Sequence, residues 1–173
     1  VKGLIDLQTI SVVIAAMSVV IGVINSILSS RRAEKTMRTT LETRQAQLFM
    51  QLYTKLNERE LHSIGGEILN LWEWSDFDEF MEKYGPENNF EDFNKFSMVG
   101  TYFNGIGILV SENLVDIRLV TRFGSVVNAF WEKIEPIIED WRELYNFPRM
   151  LSDTEYLYNE MQKYIEKHPE LGI

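Results

Sequence analysis

Cysteine is absent from the 173 residues. That removes disulfides, thiolate nucleophiles and cysteine-ligated zinc or iron–sulfur sites. Histidine is scarce: His62 and His168 stand at opposite ends of the stretch 61–173, and neither belongs to a His-x-x-x-His or Glu-x-x-His pairing. A His-based transition-metal site would have to draw on both, so no metal ligand is assigned. Between Leu7 and Ser30 there is no charged side chain, and from Arg31 to Glu60 there is no proline or glycine. Ser97, Ser111 and Ser125 lie in helical patterns without a Gly-x-Ser-x-Gly elbow, so no serine nucleophile is proposed. The recurring acids Glu132, Glu135 and Glu139 read as a solvated helix face, and Asp76–Phe80 does not continue as a calcium loop. No catalytic residue and no cofactor-binding residue emerges, and the chain is expected to be non-enzymatic with no cofactor.

The charge that is present is unevenly placed. Residues 1–30 balance to zero, residues 31–60 carry a net +3, and residues 61–173 a net −12, giving −9 for the chain. An acidic domain repels phosphate backbones, so nucleic acid is not an expected partner. The uncharged run of 24 residues from 7 to 30 would rise about 36 Å as a helix, against a hydrocarbon core of about 30 Å. A cleaved signal peptide would carry its basic residues before a shorter run, whereas here they follow a longer one. The pattern predicts a transmembrane anchor over 1–30. Arg31, Arg32, Lys35 and Arg38 follow it and suit anionic headgroups, while only Lys2 precedes it. The bias of basic residues places the N-terminus outside and the C-terminal domain in the cytoplasm, as a single-pass protein of the cell membrane.

Inside that run a second pattern is visible. Gln8, Ser11, Ala15, Ser18, Gly22, Asn25 and Ser29 recur at alternate spacings of three and four, which puts small and polar groups on one helix face. Small residues let membrane helices approach closely, and Ser, Asn and Gln can hydrogen-bond across the contact. The seam is expected to pack against a second copy or another membrane subunit. The alternative is a homo-oligomeric channel with Gln8, Ser11, Ser18 and Asn25 facing water. Packing is preferred because Ala15 and Gly22 interrupt the polar positions.

The rest reads as all-α. An amphipathic juxtamembrane helix over 31–60, with Leu41, Leu48, Leu52 and Leu56 at helical spacing, is expected to continue the anchor and extend its contact. The acidic domain over 61–173 is expected to form a small helical bundle. Helices are predicted from His62 to Trp74, from Asp76 to about Lys83, from Asn89 to about Asn113, from Asp116 to about Arg122, from about Ser125 to the Asn146-Phe147-Pro148 stop, and from Ser152 onward. Asp76 with Glu79, and Ser152 with Glu155, have the spacing of capping boxes. Gly100, Gly105 and Gly107 weaken the fourth helix and imply close packing against another. Pro136 should kink the long helix or shift its register. The aromatics Trp72, Trp74, Phe77, Phe80, Trp131 and Trp141 are expected to be chiefly core.

Several stretches resemble a known family: Phe103-Asn104-Gly105-Ile106-Gly107-Ile108-Leu109-Val110, Leu114-Val115-Asp116, Ala129-Phe130-Trp131-Glu132 and Trp141-Arg142. The family is an uncharacterised prokaryotic one of short single-pass membrane proteins with a helical cytosolic domain of unknown function. The resemblance covers roughly residues 10–165. It implies the anchored helical architecture and carries over no reaction and no site residue. The function expected is that of a membrane-anchored interaction protein, self-assembling or an accessory subunit of a larger membrane complex, with membrane lipid and other membrane-protein chains as its partners.

Overall fold

The computed structural model describes the backbone of residues 7–123 and 125–171 and the side chains of residues 17–123 and 125–170. The chain divides into two compact units, Val1–Arg44 and Gln45–Ile173. All regular structure among the described residues is helical. The first helix, α1, spans Leu7–Leu56 and is shared between the units. Its length follows from the missing prolines and glycines after Gly22. In its first-unit part the hydroxyls of Thr39, Thr40 and Thr43 donate back to the carbonyls four residues earlier.

Among the described residues no helix is long and apolar enough to cross a membrane. The expected anchor over 1–30 is therefore not matched by a span there. Residues 17–30, the part of the uncharged run whose side chains are described, rise only about 21 Å as a helix, short of the about 30 Å hydrocarbon core.

Among the described residues the second unit contains the end of α1 and six further α-helices. These are α2 (Arg59–Asn70), α3 (Phe77–Tyr84), α4 (Phe90–Ser111), α5 (Ile117–Val120), α6 (Val126–Leu144) and α7 (Ser152–Lys167). A 3-10 turn at Thr121–Phe123 joins α5 towards α6, and another at Pro169–Leu171 follows α7. The fourth helix is central, packing against α2, α3 and α7. Its buried residues Phe96, Val99, Phe103, Ile106 and Val110 step by three and four, the period that lines one helix face. Opposite them stand the buried α6 residues Phe130, Ile134, Ile137 and Trp141. Full burial of one such large apolar side chain contributes about 1.5–3 kcal/mol. Phe96 links the two sets, with ring centroids 5.7 Å from Phe130 and 4.9 Å from Trp141. Trp72, Phe80, Trp131 and Trp141 are buried, as the sequence implied, and Trp74 and Phe77 half-buried.

Local side-chain caps mark the starts of α3, α4 and α5. Asp76 accepts the Glu79 backbone N–H at 2.9 Å, and the Ser75 N–H and hydroxyl both donate to the Glu79 carboxylate at 2.6 Å. The box expected at Asp76 and Glu79 thus forms, with Glu79 reaching back one residue further than the usual arrangement. Lys83 lies 2.6 Å from the same carboxylate. These donors hold the Glu79 carboxyl down at about 2, with Lys83 the largest cause. A depressed carboxyl stabilises the fold above its unfolded-state value, and the contribution is lost as pH falls through the folded value. The Tm advantage of the native chain over Glu79→Gln is therefore expected at neutral pH and should vanish between pH 4.5 and about 2. Thermal melts of both chains across that range check it.

Asn89 likewise caps α4, accepting the Asp92 N–H at 3.2 Å. At the far end of α2, Lys133 from α6 donates to the carbonyls of Leu69 (3.3 Å) and Trp72 (2.8 Å), which places a cation where a helix C-terminus favours one. Pro136 is exposed and α6 continues through it as one element from Val126 to Leu144. The carbonyl it deprives of a partner is that of Glu132, also on the exposed side, where solvent can satisfy it. No break of the helix results.

The start of α7 departs from expectation. No capping box joins Ser152 and Glu155. The residue before the helix, Leu151, is left-handed with φ 53° and offers no capping side chain. The cap comes instead from another helix: the side-chain carbonyl of Asn104 in α4 accepts the N–H groups of Asp153 (3.1 Å) and Thr154 (3.2 Å). Glu155 is free to face Arg142, whose Nη2 donates to it at 2.8 Å.

Candidate functional site

Within the second unit a cavity of about 410 Å³ opens beside α2. One stripe of α2 lines it, and the positions fall in pairs four residues apart: Leu61 and His62, Gly65 and Gly66, Leu69 and Asn70. From α4 come Val99, Tyr102 and Phe103, and from α6 Val126 and Phe130. The end of α1 supplies Tyr53 and Leu56, followed by Asn57, and the 3-10 turn adds Arg122 and Phe123. The turn is held by ring stacking, since Phe49 lies 5.4 Å from Phe123 at 12° between planes and Tyr53 lies 6.2 Å away. Leu61, Val99, Phe103, Phe123 and Phe130 are buried, so the interior is apolar.

The polar groups around this interior differ in how far they are committed. The Tyr102 hydroxyl donates to the Leu52 carbonyl, and burial pushes its pKa up to about 12, so it stays protonated at neutral pH. The amide nitrogens of Asn57 and Asn70 donate back to the preceding turn, to Tyr53 O at 2.7 Å and Gly66 O at 2.8 Å. The side chains of His62 and Arg122 are exposed and engage no hydrogen-bond or ion-pair partner among the described residues. A hollow between α3 and α6 also carries cations, but there Lys83 is bound to Glu79 and to the Glu73 carbonyl, and Lys133 to the end of α2.

The glycines separate into two kinds. A Cβ at Gly107 would stand 1.9 Å from the Asp153 carbonyl oxygen, and one at Gly100 would stand 3.3 Å from the Leu151 side chain. Both let the start of α7 lie against α4, the close packing their presence implied. At Gly65, Gly66 and Gly105 an added Cβ would meet nothing within 4 Å. The two in α2 border the cavity.

The residues singled out in the sequence fall elsewhere. Gln8, Ser11 and Ala15 belong to α1, with side chains outside the described residues. Ser18, Gly22, Asn25 and Ser29 are exposed on α1, as are Arg31, Arg32, Lys35 and Arg38. Arg38 pairs with Glu42 at 3.2 Å, with both side chains largely in solvent. Leu48, Leu52 and Leu56 pack on the core of the second unit. Each is half-buried there. Phe49, on the same face, joins them through its stack on Phe123. Leu41 is exposed and lies in the first unit. His168 stands 3.0 Å from Glu170 and over the ring of Tyr164. Among the described residues no group of three or more His, Cys, Asp or Glu side chains could hold a metal ion.

Fold and site together define an all-α protein whose second unit is a compact helical domain bordering a mainly apolar cavity. The chain belongs to a family described as a domain of unknown function (DUF4760), whose model matches residues 6–161. No curated protein and no solved structure matches it. The matched span takes in the uncharged part of α1 and the helical domain as far as Met161 in α7. Within it, the stretch from Phe103 to Val110 and the Trp141-Arg142 pair resolve into structural roles. Asn104 and Gly107 seat α7 on α4, and Arg142 joins α6 to the loop before α7 by donating to Met150 O at 3.1 Å and to Glu139 and Glu155.

Proposed function

We propose that this chain is a non-enzymatic, membrane-associated interaction protein. The first part of α1 lies in the bilayer, and the acidic helical domain serves a partner on the cytoplasmic side. The observation that carries the reading is the distribution of side chains on α1. Met17, Val19, Val20, Ile21, Val23, Ile24, Ile27 and Leu28 are all exposed. At 100° per residue they cover an arc of about 200°. Ser18, Gly22, Asn25 and Ser29 fall in the remaining arc. A helix with a broad aliphatic face and a narrow seam of small and polar residues has the makeup of one that meets lipid on one side and another helix on the other. In water the aliphatic face would be an unusually large exposed apolar patch.

Arg31, Arg32, Lys35 and Arg38 follow at the place where headgroups would lie, and each is exposed. Their position after the apolar stretch supports a cytoplasmic domain. The seam supports association with a second copy or with another membrane subunit, both through α1.

Vesicle flotation tests the reading. The full chain, synthesised in the presence of phosphatidylcholine–phosphatidylglycerol vesicles, is expected to float and to resist carbonate extraction. Recovery at the bottom of the gradient would overturn it. Asn25→Leu should leave flotation unchanged and weaken in-membrane cross-linking between seam positions.

A further inference from the structure

The cavity beside α2 has two features that packing does not require. The first is the Gly65-Gly66 pair. Glycine inside a helix costs up to about 1 kcal/mol relative to alanine. Gly100 and Gly107 offset that cost through the close approach of α7. Gly65 and Gly66 have no such return, because a Cβ at either would meet nothing within 4 Å. What their missing side chains leave is open wall, along the middle of the stripe that α2 presents to the cavity.

The second feature is the pair of uncommitted groups at the rim. Lys95 is engaged by Glu67 and Asp92, Lys133 by the end of α2 and Arg142 by Glu139, Glu155 and Met150, while the exposed Arg59 and Arg149 do not line this cavity. Arg122 and His62 line the cavity and bind nothing among the described residues. Glu58, whose charge is felt at Tyr102, is already paired with Lys55 at 2.5 Å. An apolar interior closed by an unpaired guanidinium suits a molecule with an apolar body and an anionic end. The volume falls in the range that holds small ligands, about 300–1,000 Å³, and a guanidinium binds a carboxylate with two parallel hydrogen bonds.

We propose that this cavity binds one single-chain amphiphile with an anionic head, of the medium-chain fatty-acid class. Its alkyl chain lies between α2 and α4 against Leu61, Val99 and Phe103, and its head group is held by Arg122 with His62 beside it. The site goes beyond the membrane reading and does not depend on it. The chain is assayed in phosphatidylcholine nanodiscs if it floats with vesicles, and in buffer if it does not.

The probe is a twelve-carbon fatty acid carrying a diazirine, photolysed on the full chain, with labelled peptides mapped by mass spectrometry. Saturable labelling confined to peptides from α2, α4 and the 121–130 segment is expected. Dodecanoate should compete at least ten times better than dodecanol or dodecylammonium. Arg122→Ala should weaken dodecanoate about tenfold and leave dodecanol unchanged. Gly65→Ala with Gly66→Leu fills the open wall, and should abolish labelling while Tm stays level or rises. Should that pair fail to fold, Gly66→Ala alone, expected to raise Tm and weaken labelling, provides the same reading. Competition by phosphatidylglycerol added to the discs, at the same peptides, would overturn the single-chain assignment, because that lipid carries two acyl chains. Failure of phosphatidylglycerol to compete where dodecanoate does would support the site with a free acid as the source. Unsaturable labelling, equal competition by dodecanol, or unchanged labelling in a folded glycine variant would overturn the proposal.

Discussion

Replacing Gly107 by alanine is expected to lower stability by about 3 kcal/mol or more, roughly 10 °C in Tm. The added methyl would sit 1.9 Å from the Asp153 carbonyl oxygen and 2.5 Å from its carbon. Both are backbone atoms at the start of α7, and that segment is already fixed from two sides. Asn104 holds the N–H groups of Asp153 and Thr154, and Arg142 holds the Met150 carbonyl just before it. The methyl therefore cannot be accommodated by a rotamer change. It must push α7 away from α4 and open the packing around Phe103, Ile106, Leu157 and Met161, all buried. Gly105 supplies the control, two residues earlier on the same helix with nothing within 4 Å of an added Cβ. Gly105→Ala should raise stability by up to about 1 kcal/mol through helix propensity. Thermal melts of the two variants should therefore move in opposite directions from the native chain. If both move the same way, the contact at Asp153 is not what fixes residue 107 as glycine.

That contrast shows how far one sequence could be read. Three glycines in one helix announce that something comes close, and for Gly100 and Gly107 it does. Nothing in local sequence tells Gly105 from its neighbours, because the difference lies in where α7, nearly fifty residues later, approaches. Short-range rules did well where the partner is short-range. Asp76 and Asn89 cap their own helices within three residues, and the buried positions of α4 and α6 keep helical spacing. The Ser152–Glu155 pattern looks the same on paper and fails, because a left-handed Leu151 displaces the first turn and Asn104 reaches it from another helix. Leu48, Leu52 and Leu56 were legible as an apolar face, but a face does not name its partner. In the fold it packs in part on the domain's own core. The cavity was invisible for the same reason: His62, Gly65 and Gly66 meet Arg122 only through the fold. Its one trace in the sequence is a Gly-Gly pair within a helical pattern, which a helix keeps at some cost in stability.

Asn104→Ala is expected to cost about 2–3 kcal/mol, the second-largest loss foreseen here, with a cause unlike that of Gly107. No space is overfilled. What disappears is the single acceptor for two N–H groups in the first turn of α7, where Thr154 is buried and Asp153 half-buried. A helix start usually takes its cap from the preceding residue, but Leu151 has none to offer. Solvent can replace the lost acceptor only where it reaches, so the Thr154 amide is left worst off. Amide exchange should accordingly accelerate at Asp153 and Thr154 well beyond what the global loss of stability explains, while the α3 amides follow the global change alone. Asn104→Asp separates acceptor from amide. It keeps an oxygen for both donors and adds a negative charge at a helix N-terminus, which is favourable. It also exchanges the amide that faces the Asp153 carboxylate at 3.4 Å for a like charge. Part of the stability should return, with protection at Thr154 restored more fully than Tm. Unchanged protection at Thr154 in the alanine variant would mean that the first turn of α7 finds its acceptor elsewhere, and that Asn104 serves the contact between α4 and α7 only by packing.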